Sequence, residues 1–191
     1  MILRAGQAAV ASLPDSAFRA TAPTLNFEEL VQRYQGPLLR FLYGVVGDRE
    51  LAADLCQDTF LSAFRAFQRL DPDARLDAWL YTIALNHARG VLRRRRLLRW
   101  VPFVKAVHDR AAGRDLASRV VEHEQIDEVL GELPVDQRAC LVLHAEGYRY
   151  AEIARVLGCS VGAVKLRIFR ARRHLLQVYG RAAVADLEEG V

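Results

Sequence analysis

Between Tyr148 and Leu175 the chain reads YRYAEIARVLGCSVGAVKLRIFRARRHL, and the turn in its middle limits the possible folds more than any other feature. Ahead of the turn, Tyr150, Ile153, Ala154 and Leu157 recur at helical spacing and define one buried face. Gly158 can take the left-handed conformation that ends a helix sharply, and Ser160 can cap the next one. Beyond it, Val161, Val164, Ile168, Ala171 and Leu175 are spaced 3, 4, 3, 4, a single apolar stripe. A short helix, a three-residue turn and a second helix make a helix-turn-helix, whose second helix can enter a major groove. From Gly158 to Arg181 there are six Lys and Arg residues (165, 167, 170, 172, 173, 181) and no Asp or Glu. A solvated bundle helix carries both signs as a rule, so the one-signed charge favours DNA binding.

The rest of the chain keeps the same period. No sustained alternation of apolar and polar residues occurs, so the expected fold is all-α, two small helical domains joined by a linker. Residues 1–25 lack periodicity and are expected to be a flexible tail. Asn26, with Glu29 as its capping-box partner, opens a first helix to about Val46, with a kink or break expected at Gly36-Pro37. Asp48 caps a second helix to about Leu70, Asp71-Pro72-Asp73 forms a turn, and a third helix runs from about Arg75 to Leu98. These three helices, residues 26–98, form the first domain. Residues 99–114, with Pro102 and Gly113, read as a linker. The second domain, 115–178, holds a helix from about Asp115 to Leu130, one begun at Pro134 and stopped by Gly147, and the helix-turn-helix; residues 179–191 are a C-terminal tail.

Composition excludes several classes. Of the 191 residues, 52% are apolar, too many for a disordered chain. No apolar run approaches the ~18 residues of a membrane span, so an integral membrane protein is not expected. The N-terminal MILRAGQAAVASLP has its apolar part broken by Arg4, Gly6 and Gln7, unlike a signal peptide, and the expected location is the cytoplasm. Cys56, Cys140 and Cys159 are odd in number and far apart, which argues against a disulfide framework. Cys140 and His144 stand four apart, a ligand spacing, yet a small buried thiol and an incidental imidazole are the stronger reading; no metal and no cofactor are expected. The sequence carries no GxxxxGK[ST] loop, HExxH or GxSxG, so no enzyme, and no small-molecule substrate, is implied.

The third helix carries two stripes. Leu76, Leu80, Ile83, Ala84 and Val91 form an apolar side. Arg75, Trp79, Thr82, Asn86, Arg89 and Arg93 are spaced 4, 3, 4, 3, 4 and share an adjoining face. Guanidinium groups interleaved with an indole suit single-stranded nucleic acid, where bases stack and phosphates need neutralising. A core tryptophan among solvated arginines is the competing reading of this helix. In the second helix Ala53, Cys56, Phe60, Ala63 and Phe67 point inward with Phe64 alongside, and Asp54, Gln57, Asp58, Leu61 and Arg65 lie on the other side.

Five pieces occur in order between Asp54 and Lys165, D-L-x-Q-D-T-F, W-L-x-x-I-A-x-N, L-P-x-x-x-R, E-I-A-x-x-L-G and V-G-x-V-K, within a match over about residues 26–178. Together they resemble bacterial RNA polymerase sigma factors of the extracytoplasmic-function (ECF) type. The resemblance implies that residues 26–98 are region 2, which docks on the polymerase and opens the −10 element, and that 115–178 are region 4, which reads the −35 element as duplex. Carried over by position, Asp54, Gln57, Asp58 and Leu61 contact the clamp helices of core polymerase, with the flap as a further docking site. Arg75, Trp79, Asn86, Arg89 and Arg93 lie by the −10 element, and loop 71–75, with Asp71, holds a flipped base, an extrusion costing a few kcal/mol. In region 4, Ser160, Ala163, Lys165, Leu166, Phe169 and Arg170 face the −35 DNA, while Arg167 and Arg173 meet phosphates. Ala163 and Leu166 replace polar residues common in the family, which favours thymine methyl contacts. An anti-sigma factor is an implied partner. A stand-alone helix-turn-helix regulator is the alternative, although it leaves the second and third helices unexplained.

Overall fold

A computed structural model describes residues 26–71, 74–98 and 130–188. Every regular element among them is a helix: α1 (Phe27–Val46), α2 (Arg49–Phe67), α3 (Leu76–Leu98), α4 (Val135–Ala145), α5 (Tyr150–Leu157) and α6 (Val161–Glu188). The expected N-terminal tail and linker 99–114 lie outside the described residues, as does nearly all of the expected helix 115–130.

Local chemistry sets most helix ends. Asn26 accepts from the Glu29 backbone N–H at 2.8 Å, and the Glu29 carboxylate accepts from the Asn26 N–H at 3.0 Å, a complete capping box. Asp48 caps α2 through the Leu51 N–H at 3.0 Å. Gly47 and Gly158 close α1 and α5 at φ +69° and +65°, where a β-carbon would be strained. Pro37 does not break α1, contrary to expectation. Leu30 and Tyr34 before it and Leu38, Phe41 and Leu42 after it are all buried, and that anchoring outweighs the ~3 kcal/mol an internal proline costs. Pro134 caps α4 from outside with ψ 141°, one position earlier than expected. α6 continues to Glu188 rather than stopping near Val178, taking in most of the expected tail.

Two buried faces are rotated from the expected ones. α2 buries Ala52, Leu55, Cys56, Thr59 and Ala63, whereas Phe64 is 63% exposed, its ring edge-on to Phe27 at 5.1 Å. α3 buries Tyr81, Leu85 and Ala88 beside Leu76, Leu80 and Ala84. The two halves of the chain share one hydrophobic core. Phe41 of α1 meets Tyr81 of α3 edge-on at 5.0 Å, and Tyr81 meets Tyr148, just before α5, at 5.4 Å. Burial is the largest cause raising the pKa of both tyrosines, and it keeps each phenol neutral inside the core.

Candidate nucleic-acid interface

α5 and α6 form the expected helix-turn-helix. Ser160 accepts from the Ala163 N–H at 3.2 Å, and Val164, Ile168 and Ala171 seat α6 on the core. Val161, at the start of the expected stripe, is 40% exposed, and Leu175 is half-buried. Lys165, Leu166, Phe169, Arg170 and Arg173 all project outward, with Phe169 61% exposed. Arg167 differs. Its guanidinium turns back to the core, 2.8 Å from Cys159 Sγ and 3.3 Å from the Asp136 carboxylate.

The polar stripe of α3 is divided in the same way. Asn86 and Arg93 are exposed. Trp79 is half-buried against the core, so part of its surface serves packing. Arg75 lies 3.3 Å from Asp77 and 3.9 Å from Glu152 of α5. The Thr82 hydroxyl reaches the Val156 carbonyl of α5 at 3.1 Å. Arg89 donates to Asp136 through Nε at 2.9 Å and to Asn86 at 3.2 Å. Asp71 is exposed, and its carbonyl accepts from the Ala74 N–H at 2.9 Å, closing the turn that leads into α3.

On α2, Asp54, Gln57, Asp58, Leu61 and Arg65 share the outer face as expected, and Leu61 is 56% exposed. With Phe64 they make an acidic surface carrying large apolar groups. Among the described residues no cluster of His, Cys, Asp and Glu is arranged to hold a metal ion. Cys140 is fully buried, its thiol pushed up to about 12 by burial, while His144 lies against the Tyr150 ring at 5.1 Å.

Sequence reasoning missed two residues that organise these surfaces. Asp136 bridges Arg89 and Arg167, one guanidinium from each candidate DNA face. An acid in the first turn of a helix reads only as a dipole partner, so nothing local announces it. Arg138, the arginine of the L-P-x-x-x-R piece, is buried. It donates to the Val45 carbonyl of α1 at 2.6 Å and to the carbonyls of Gly131 and Leu133 at 3.2 and 3.1 Å. Burial lowers its pKa from the ordinary guanidinium value.

A helix-turn-helix with a one-signed outer face, packed on a three-helix unit carrying a second arginine-rich stripe, defines a two-part helical nucleic-acid-binding protein. Comparison with known proteins narrows this. Residues 30–97 match the family described as Sigma-70 region 2, and residues 123–175 match Sigma-70, region 4. The chain is 35% identical to RNA polymerase sigma-H factor of Pseudomonas aeruginosa over 161 residues, 76% of this chain and 82% of that protein. It is 34% identical to RNA polymerase sigma factor CarQ of Myxococcus xanthus, covering 81% of this chain and 89% of that one. Among solved structures it is similar to CnrH, determined in complex with the cytosolic domain of CnrY (TM-score 0.63, 32% identity, 84% of this chain and 93% of that chain). It is also similar to the sigma factor RpoE of Bartonella quintana, determined with the anti-sigma factor NepR (TM-score 0.63, 28% identity, 81% and 96%). The chain belongs to the sigma-70 family of RNA polymerase sigma factors, in its ECF branch.

Proposed function

We propose that this chain binds core RNA polymerase in the cytoplasm and directs it to a particular class of promoter, α6 reading the −35 element as duplex and the α3 stripe opening the −10 element. The observation that carries this is the pairing of two distinct cationic surfaces on one chain. One is a helix-turn-helix face with Lys165, Arg170 and Arg173 exposed; the other combines Trp79 with Arg75, Asn86, Arg89 and Arg93. The first suits the wide groove of a duplex, the second suits separated strands. Strand opening must be supported by favourable contacts, because unpairing and unstacking cost a few kcal/mol, and loop 71–75 is the candidate pocket for an extruded base.

Ser160 at the head of α6 and Ala163, Lys165, Leu166, Phe169 and Arg170 within it are assigned to the DNA groove, and Arg173 to a phosphate. Arg167 joins them once released from Asp136. The outer face of α2, with Asp54, Gln57, Asp58 and Leu61, is assigned to the polymerase clamp, since acidic groups among exposed apolar ones suit a basic, partly apolar partner and repel DNA. The chain contributes no chemistry of its own; nucleotide addition belongs to the polymerase. Two of its structural relatives were solved with a bound protein, one of them an anti-sigma factor. An inhibitory protein partner is assigned here by that likeness.

Run-off transcription with bacterial core polymerase on fragmented DNA of the source organism tests the reading. Discrete transcripts that depend on the added protein are expected, and Arg170→Ala is expected to cut them ~10-fold or more while retaining core binding, since one bidentate base contact is worth ~1–3 kcal/mol. Equal loss of transcription and core binding in Arg170→Ala would remove Arg170 from the DNA face. Absence of both transcripts and a core complex would overturn the function.

A further inference from the structure

The cations on the outer face of α6 have no acid near them in sequence, since no Asp or Glu occurs from Gly158 to Arg181. The fold supplies one. A shallow groove of about 280 Å³ lies between the start of α4 and the outer face of α6. Arg170, Arg173 and His174 line it from α6, and Glu132, just ahead of α4, is the one acid among its lining residues. Its position is fixed from two directions. The buried guanidinium of Arg138 donates to the carbonyls of Gly131 and Leu133, the residues on either side of Glu132, at 3.2 and 3.1 Å. The Glu132 carboxylate accepts from His174 Nε2 at 2.8 Å, yet its side chain stays 56% exposed. An open pair of this kind adds little to stability. It also leaves both arginines of the groove unneutralised, so the carboxylate faces the same approaching backbone that they attract.

We propose that Glu132 is an electrostatic brake on duplex binding, a fixed negative charge at the edge of the α6 face that weakens its hold on phosphates whatever the base sequence. This rests on the assignment of α6 to duplex DNA made above. Phosphate attraction supplies essentially all of the binding to non-target DNA. A carboxylate beside Arg170 and Arg173 repels that backbone, so phosphate contacts alone hold the chain weakly. Stable occupancy then needs base contacts as well, together with the second attachment that core polymerase provides. Glu132 is in that sense a specificity-determining residue that reads no base itself.

The test separates a charge placed in the groove from net charge in general. Glu132→Gln removes the charge with little change of shape, and Glu132→Lys reverses it. Glu28 is exposed in the first turn of α1, next to Phe27, whose ring packs on Phe64 and Phe67 of α2, and it provides the same changes of net charge away from the groove. Fluorescein-labelled random-sequence duplex is titrated with each full-length protein by anisotropy at several salt concentrations. Run-off transcription with core polymerase is measured alongside.

Glu132→Gln is expected to bind duplex roughly 3- to 10-fold more tightly at about 0.1 M salt, and Glu132→Lys more tightly still, with the gain shrinking as salt rises. Glu28→Gln and Glu28→Lys are expected to change little. Unchanged affinity in the Glu132 variants overturns the proposal. An equal gain in the Glu28 variants does so too, because the effect would then belong to net charge. A gain that salt does not diminish also overturns it, since the groove would have been reshaped rather than relieved of a charge. Failure of the unsubstituted protein to give transcripts with core would count against the sigma reading alone, and the duplex titrations would still decide the role of Glu132.

Discussion

Arg138 and Glu146 show how much of this molecule depends on charged groups placed where water is scarce. Arg138 spends its guanidinium on three backbone carbonyls, one of them near the C-terminal end of α1, where a helix leaves carbonyls without partners and favours positive charge. Glu146 carries the opposite burden. Its carboxyl is pushed up from 4.5 to about 7 by burial, with Arg40 pulling it the other way. The folded state thus holds its proton more tightly than the unfolded chain. The sign follows from linkage: between about pH 4.5 and 7 the native state binds more protons, so this group's contribution to stability falls as the pH rises through that window and levels off above it. Glu146→Gln is expected to flatten the dependence. Urea unfolding at several pH values between 5 and 8 checks this, and an unchanged slope in the variant would show that Glu146 does not titrate as described.

At the scale of the element, the turn between α5 and α6 was legible because its requirements are local. Gly158 and Ser160 announce the turn by backbone conformation and capping, and the 3, 4, 3, 4 stripe of α6 needs nothing beyond its own sequence. The buried face of α2 was harder to read, because Ala52, Leu55, Cys56, Thr59 and Ala63 include a polar residue and small ones. Thr59 is tolerated inside since its hydroxyl donates to the Leu55 carbonyl at 2.6 Å. The larger Phe64 drew attention inward, yet it lies outside and packs on Phe27. Pro37 misled for a related reason: proline's cost is local, and the burial that offsets it comes from distant residues. Gly90, in the middle of α3, gives a clean test of local preference against context. A β-carbon there would meet no atom within 4 Å. Gly90→Ala is therefore expected to stabilise the protein by ~0.5–1 kcal/mol, raising its Tm by a few degrees. A loss of stability in calorimetry would mean that α3 needs the freedom of glycine at that point.

The whole molecule differs from the sum of its two regions in a way no motif expresses. Each region was readable from its own periodicity, while the surface between them was not, because Gly44 of α1, Asp136 and Val142 of α4 and Tyr148 of the turn before α5 belong to no common period. Only the fold brings them together. The energetic consequence is that Tyr81, packed on Phe41 of one half and Tyr148 of the other, links the stability of both. A tethered pair of independent domains would unfold in two steps, each at its own temperature. A shared core couples them, since melting either half exposes apolar surface on the other. Calorimetry of the free full-length chain is expected to show one transition with matching calorimetric and van't Hoff enthalpies. Gly44→Leu, whose side chain has no room against Val142, is expected to divide it in two, the part lacking the interface melting first. Two well-separated transitions in the unsubstituted chain would mean that the halves are uncoupled. A single transition that persists in Gly44→Leu would mean that the junction adapts to a larger side chain and that coupling resides in the aromatic contacts of Tyr81 rather than in the close approach of α1 and α4.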